Sequence, residues 1–189
     1  MRNMKQRIVA LFAVVVFAAT ASVAASAQSH GQQGLSAQQI AKKVRHELVM
    51  LPDYGVFDNL AYRIQGSTVT LYGQVVKPST RKDAERRISR IPGVAQVVNN
   101  IEVLPLSGFD DTIRASTYQA IFRSGSLYRY AMGTNPSIHI IVKNGHVTLE
   151  GVVATKMDRN LANIAASGVP GVFSVTNNLK TDREARGAY

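Results

Sequence analysis

A chain of 189 residues with 22 Lys and Arg against 12 Asp and Glu carries a formal charge of +10, a balance that favours a polyanionic partner such as nucleic acid or anionic lipid. It has no cysteine, which excludes disulfides, thiolate metal sites and lipid attachment through an N-terminal cysteine.

The first segment reads as a targeting sequence. Arg2, Lys5 and Arg7 precede the apolar run Ile8 to Ala19, and Ala25-Ser26-Ala27 supplies the small residues of a cleavage site. The apolar part is shorter than the ~20 residues needed to cross a bilayer, so residues 1–27 are expected to be a cleaved signal peptide rather than a membrane anchor, and the mature protein to be exported. Export argues against nucleic acid as the polyanion. Residues 28–34 are polar and read as a disordered lead-in.

Ser36 and Gln39 form a capping-box pattern, after which Ala37, Ile40, Val44, Leu48 and Leu51 share one helical face ending near Pro52. Leu60, Tyr62 and Ile64 alternate with polar neighbours, Gly66-Ser67 makes a turn, and Val69, Leu71, Gly73 and Val75 resume the alternation, predicting a hairpin. Thr80 and Asp83 read as the cap pair of a second helix with Ala84, Ile88 and Ile91 inward. Pro92-Gly93 stops it, and Val94 to Val103 is the last strand. The order then recurs: a helix capped by Asp110 or Asp111 and running to about Ser124, strands at Ile138 to Val142 and Val147 to Val153, a helix from Asp158 to Ser167, and a strand from Val172 to Thr181.

The recurrence is visible residue by residue. Val69 to Ile101 aligns without gaps on Val147 to Leu179, and 14 of 33 positions are identical. Roughly two or three would be expected from average residue usage. The predicted architecture is therefore α+β, in two tandem modules of helix, strand, strand, helix, strand, each with two helices packed on a three-stranded sheet. The boundaries are 35–104 and 110–181, with a linker at 105–109 and a flexible tail at 182–189. Gly73 and Gly151, inside strands, predict a bulge or a close backbone approach, and Asn99 and Asn177 predict side-chain bonds to backbone.

The run Val69-Thr70-Leu71-Tyr72-Gly73-Gln74-Val75 with Gly93-Val94-Ala95-Gln96-Val97-Val98-Asn99-Asn100-Ile101 resembles the BON domain. Its second occurrence is Gly145-His146-Val147-Thr148-Leu149-Glu150-Gly151-Val152-Val153 with Gly171-Val172-Phe173-Ser174-Val175-Thr176-Asn177-Asn178-Leu179. Two such domains behind a signal peptide are similar to periplasmic proteins of the osmotically inducible type. The resemblance implies a non-enzymatic module associated with phospholipid or envelope surfaces, in envelope integrity or osmotic stress tolerance. Copy one departs from copy two by a longer turn, Gly66-Ser67-Thr68 against Gly145-His146.

The residues offer no catalytic equipment. His30, His46, His139 and His146 are scattered without metal-ligand spacing, and no nucleophile elbow or phosphate loop is present, so no catalytic residue, metal or cofactor is expected. The copies differ most on their outward helix faces. In copy one Lys82, Arg86 and Arg90 form a basic stripe. In copy two Tyr118 and Phe122 sit off the inward stripe beside Arg114, with Arg123, Tyr128, Arg129 and Tyr130 following. Rings beside arginines suit a bilayer interface, so these seven residues are expected to bind anionic phospholipid, with Lys82, Arg86 and Arg90 as a secondary face. Packing of Tyr118 and Phe122 against module one is the competing expectation, and a protein-interaction module of the envelope the competing function.

Overall fold

The structure, a computed structural model, describes residues 35–123, 125–133 and 135–186; the expected signal peptide and lead-in lie outside the described residues. Ser36 starts the fold. Its hydroxyl accepts from Gln39 N (3.3 Å) while Gln39 Oε1 accepts from Ser36 N (2.8 Å), a reciprocal cap that opens α1, Ala37–Val49. Ile40, Val44 and Leu48 follow at one-turn spacing and are buried, each contributing roughly 1.5–3 kcal/mol.

The chain returns as β1 (Asn59–Gln65) and β2 (Thr68–Val75), antiparallel, then α2 (Pro78–Ile88) and β3 (Gln96–Val103). β3 runs parallel to β2, giving the order β1-β2-β3. Pro78 at the first helical position of α2 replaces the cap predicted at Thr80 and Asp83. Lys77 is the N-cap without a side-chain bond, Thr80 is buried inside the helix, and Asp83 pairs with Arg86 at 2.7 Å.

The second module repeats the plan with α3 (Gly108–Phe122), a 3-10 turn (Tyr128–Ala131), β4 (Ile138–Lys143), β5 (His146–Val153), α4 (Lys156–Ser167), β6 (Ser174–Asn177) and β7 (Lys180–Thr181). β5 is flanked by antiparallel β4 on one side and by parallel β6 and β7 on the other, so the predicted last strand is present in two pieces. Ser107 caps α3. Asp110, one of the two predicted caps, is instead buried, its carboxylate accepting from Asn144 N (2.9 Å) and Gly145 N (2.8 Å) in the β4–β5 turn. The longer turn expected in copy one is absent, since Gln65 faces Thr68 as Lys143 faces His146, leaving two residues between strands in both. The segment read as a polar tail holds a short helix, α5 (Asp182–Arg186), entered by a reciprocal cap of Thr181 and Glu184.

The repeated residues are fold-makers. At Gly73 a Cβ would lie 1.9 Å from Asn59 O, and at Gly151 2.1 Å from Ser137 O; both have positive φ, so only glycine lets these strands approach. Asn99 Nδ2 donates to Arg81 O (3.0 Å) and Asn177 Nδ2 to Arg159 O (2.9 Å), while each side-chain oxygen accepts the amide two residues on. Each asparagine thus staples the second helix of its module to the last strand.

The modules are joined by more than the linker. The loop Tyr54–Asp58 of module one lies along the edge of β4: Ile140 N donates to Val56 O (2.7 Å), His139 Nδ1 to Gly55 O (3.2 Å), and Tyr54 stacks on His139 with ring centroids 5.4 Å apart. Val56 and Phe57 pack against the core of module two, and Asn135 Nδ2 donates to Val49 O (3.2 Å). Burial of this seam pushes the Tyr54 hydroxyl up to about 12, raises the Asp58 carboxyl and lowers the His139 imidazole.

Candidate functional site

The first helices superimpose through their inward residues. Ile40, Val44 and Leu48 of α1 correspond to Ile113, Thr117 and Ile121 of α3, which sets Ala41, Arg45 and Val49 opposite Arg114, Tyr118 and Phe122. This correspondence explains the odd stripe of copy two. Arg114 is 3% exposed, donating to Val142 O (2.8 Å) and pairing with Asp111, and Phe122 is 4% exposed within the second core. Tyr118 keeps an exposed edge, but its ring meets Phe57 of module one at 6.2 Å and Phe122 at 4.8 Å. Together they close the gap between α3 and the edge of β4.

Three of the seven predicted lipid contacts are thus corrected. Arg114, Phe122 and Tyr130 are buried and cannot reach a bilayer. Tyr130 Oη accepts from Ala154 N (2.9 Å) and donates to Asp158 Oδ2 (2.9 Å), doing for the end of β5 what the Asp58 carboxylate does for Val76 N in copy one. Arg123, Tyr128 and Arg129 are exposed, yet the Arg129 head is held by Asp158 at 2.7 Å over the Tyr130 ring. That carboxyl is held below the usual range by Thr155, Tyr130 and Arg129, against its burial. The physical reasons differ: Tyr118 and Phe122 lie beside Val56 and Phe57 of module one, whereas Arg114 and Tyr130 are bound within module two itself.

The predicted secondary stripe is fully presented. Lys82, Arg86 and Arg90 are exposed, and α1 adds Lys42, Lys43 and Arg45 to the same layer. Arg87 ties the two helices through Glu47 at 3.3 Å, beside a cleft of about 410 Å³ that Lys43, Arg86 and Arg90 also line. Arg86 and Arg87 occupy the last turn of α2, where the helix dipole favours cations. Counting α1, α2 and Arg90, eight basic residues face three acids, whereas α3 and α4 with Arg123 hold four basic residues and three acids. Positive charge is concentrated on one helix layer of one module. The α1 contribution escaped the sequence reading, although Lys42, Lys43 and Arg45 all stand off the stripe Ile40, Val44, Leu48.

Among the described residues no group of three His, Cys, Asp or Glu is placed to hold a metal, and no helix is long and apolar enough to cross a membrane. What the geometry offers is charge, clefts and two docked copies of one module, the make-up of a tandem α+β repeat protein. The BON domain model matches residues 36–105 and 109–183, and the chain belongs to the BON domain family. The BON domain is a binding and structural module rather than an enzyme, found in periplasmic and envelope-associated proteins.

No curated protein matches the chain. Among solved structures it is similar to the C-terminal domain of CdsD, the structural protein of the type III secretion system of Chlamydia trachomatis, at 11% identity and a TM-score of 0.29, covering 77% of this chain and 98% of that one. A second CdsD structure from Chlamydia trachomatis gives 12% and 0.27, with 79% and 96% covered.

Proposed function

We propose that this is a periplasmic, non-enzymatic protein that associates with anionic phospholipid at the cell envelope through the helix layer of module one, supporting envelope integrity or osmotic stress tolerance. The observation that carries the reading is the charge asymmetry between the two helix layers. Lys42, Lys43, Arg45, Lys82 and Arg90 have no ion-pair partner among the described residues. At ~1 kcal/mol per basic residue near an anionic leaflet, such a set supplies several kcal/mol, and the attraction decays within a Debye length of about 8 Å.

Cosedimentation with phosphatidylglycerol vesicles tests it. Binding is expected there and not with phosphatidylcholine, with loss in high salt and in the triple variant K82E/R86E/R90E. Equal binding to neutral vesicles, or none to either, refutes the reading. A second reading, a protein-interaction module of the envelope, is favoured by a groove of about 870 Å³ between α1 and β1, bridged by Tyr62.

A further inference from the structure

Module two carries an apolar surface that its fold does not require. The copies correspond site by site, so copy one shows what the scaffold needs at each position. Where copy one has Ser36, Ala95 and Arg86, copy two has Phe109, Phe173 and Ile164, and all three are more than half exposed. The Phe109 and Phe173 rings stand 6.0 Å apart over Gly145 and Gly171, at the end where α3 begins and α4 stops. Pro170 and Gly168, both exposed, carry this surface from the rings to Ile164, and exposed Met157 continues it two turns back along the same face of α4. The basic cleft of copy one has no counterpart here: Lys43, Glu47, Arg87 and Arg90 correspond to Ser116, Ala120, Ala165 and Gly168. Contiguous exposed apolar side chains of this kind mark a contact surface.

Charge decides what can cover it. An anionic leaflet fits poorly, because exposed Asp111 lies beside Phe109 in the first turn of α3. Contact between two copies of so basic a chain needs an uncharged centre, which this face has and the α1–α2 layer lacks. The rim is also self-complementary. Exposed Lys156 stands at the start of α4, where the helix dipole disfavours a cation, and Asp111 stands at the opposite end beside the rings. A two-fold axis near Ile164, midway along the chain between Met157 and Gly171, brings these unlike ends together. We propose that this face is the contact of a two-fold homodimer. Ile164 meets its counterpart on the axis, Met157 of each copy lies on the Phe109 and Phe173 rings of the other, and Lys156 pairs with Asp111 across the rim. This inference is independent of the lipid reading, since it uses module two and leaves the α1–α2 layer free.

Sedimentation of the purified protein, from micromolar to hundreds of micromolar, tests it. The mass should rise from one chain to two and stop there. Ile164→Arg copies Arg86 of module one, a residue the same scaffold already carries, and like charges on the axis should weaken dimerisation about tenfold or more. Phe173→Ala, which copies Ala95, should weaken it comparably, and Lys156→Glu several-fold. Added salt should leave the dimer as strong or stronger, since it screens repulsion between two basic chains, whereas vesicle binding is lost. Because the chain has no cysteine, Ile164→Cys places a single thiol beside its counterpart. Mild oxidation should link that variant into covalent dimers and leave Lys82→Cys, on the basic layer, as single chains. The proposal is overturned if the mass stays at one chain throughout, if Ile164→Arg dimerises like the parent, or if Lys82→Cys links as readily as Ile164→Cys. It is equally overturned if parent and Phe173→Ala are both monomeric and only the variant loses vesicle binding, which would assign the rings to the bilayer. K82E/R86E/R90E should still dimerise and Ile164→Arg should still bind phosphatidylglycerol vesicles, separating failure of this face from failure of the lipid face.

Discussion

Phe57→Ala measures how firmly the modules are joined. Phe57 is half-buried, packed on the core of module two and edge-on to Tyr118 at 6.2 Å. A fully buried Phe→Ala change costs roughly 3–5 kcal/mol, so a half-buried ring costs about 2, and loss of the aromatic pair adds ~0.5–1.5. The sum, about 2.5–3.5 kcal/mol, corresponds to a melting temperature lower by roughly 5–14 °C for a domain pair of this size. Because the ring bridges modules, the loss should also loosen their coupling. Calorimetry should show one cooperative transition for the parent and a broadened or split one for the variant. Tyr118→Ala combined with Phe57→Ala should be less destabilising than the two losses added, since both remove the same contact. A loss under about 0.5 kcal/mol with strict additivity would refute the packed seam. Unchanged stability in Tyr118→Ala together with weaker vesicle binding would return that ring to the membrane.

Other consequences follow from single contacts. Gly151→Ala and Gly73→Ala each force a Cβ against a strand carbonyl at positive φ, so both should lose about 2–5 kcal/mol in denaturant unfolding; near-neutral variants would mean that the strands can part freely. Asn177→Ala removes the bonds to Arg159 O and Leu179 N and should cost about 1–3 kcal/mol, most of it recovered in neither Asp nor Leu. His139 is depressed by burial, so the unfolded chain binds its proton first, and stability should fall as pH drops from the unfolded value of about 6.5 through the lower folded value. Buried Asp58 works in the opposite sense: its raised folded pKa gives a contribution complete below the unfolded value near 3.8 and lost as pH rises through the folded one. His139→Gln should flatten the unfolding profile between about pH 7 and 5, and an unaltered slope would dismiss the histidine as its source.

The duplicated pattern, the helix stripes and the two strand glycines were readable from the chain alone because they depend on local periodicity. Ile40, Val44 and Leu48 face inward wherever the module is placed, and Gly73 needs its positive φ because its own hairpin neighbour is close. Even the basic stripe Lys82, Arg86 and Arg90 was legible, since outward angle and solvent coincide on α2. Tertiary structure decided the fate of Arg114, Tyr118 and Phe122. Helical angle states how far a side chain stands from its own sheet, and nothing in it records that a loop from the other module lies on that flank. Burial by a distant segment depends on docking, which has no period. The same cause separates the copies: in one, Tyr62 of β1 reaches across to the Ala41 carbonyl of α1, and in the other Arg114 spans to Val142 O while the Val56-Phe57 turn packs on the core from outside.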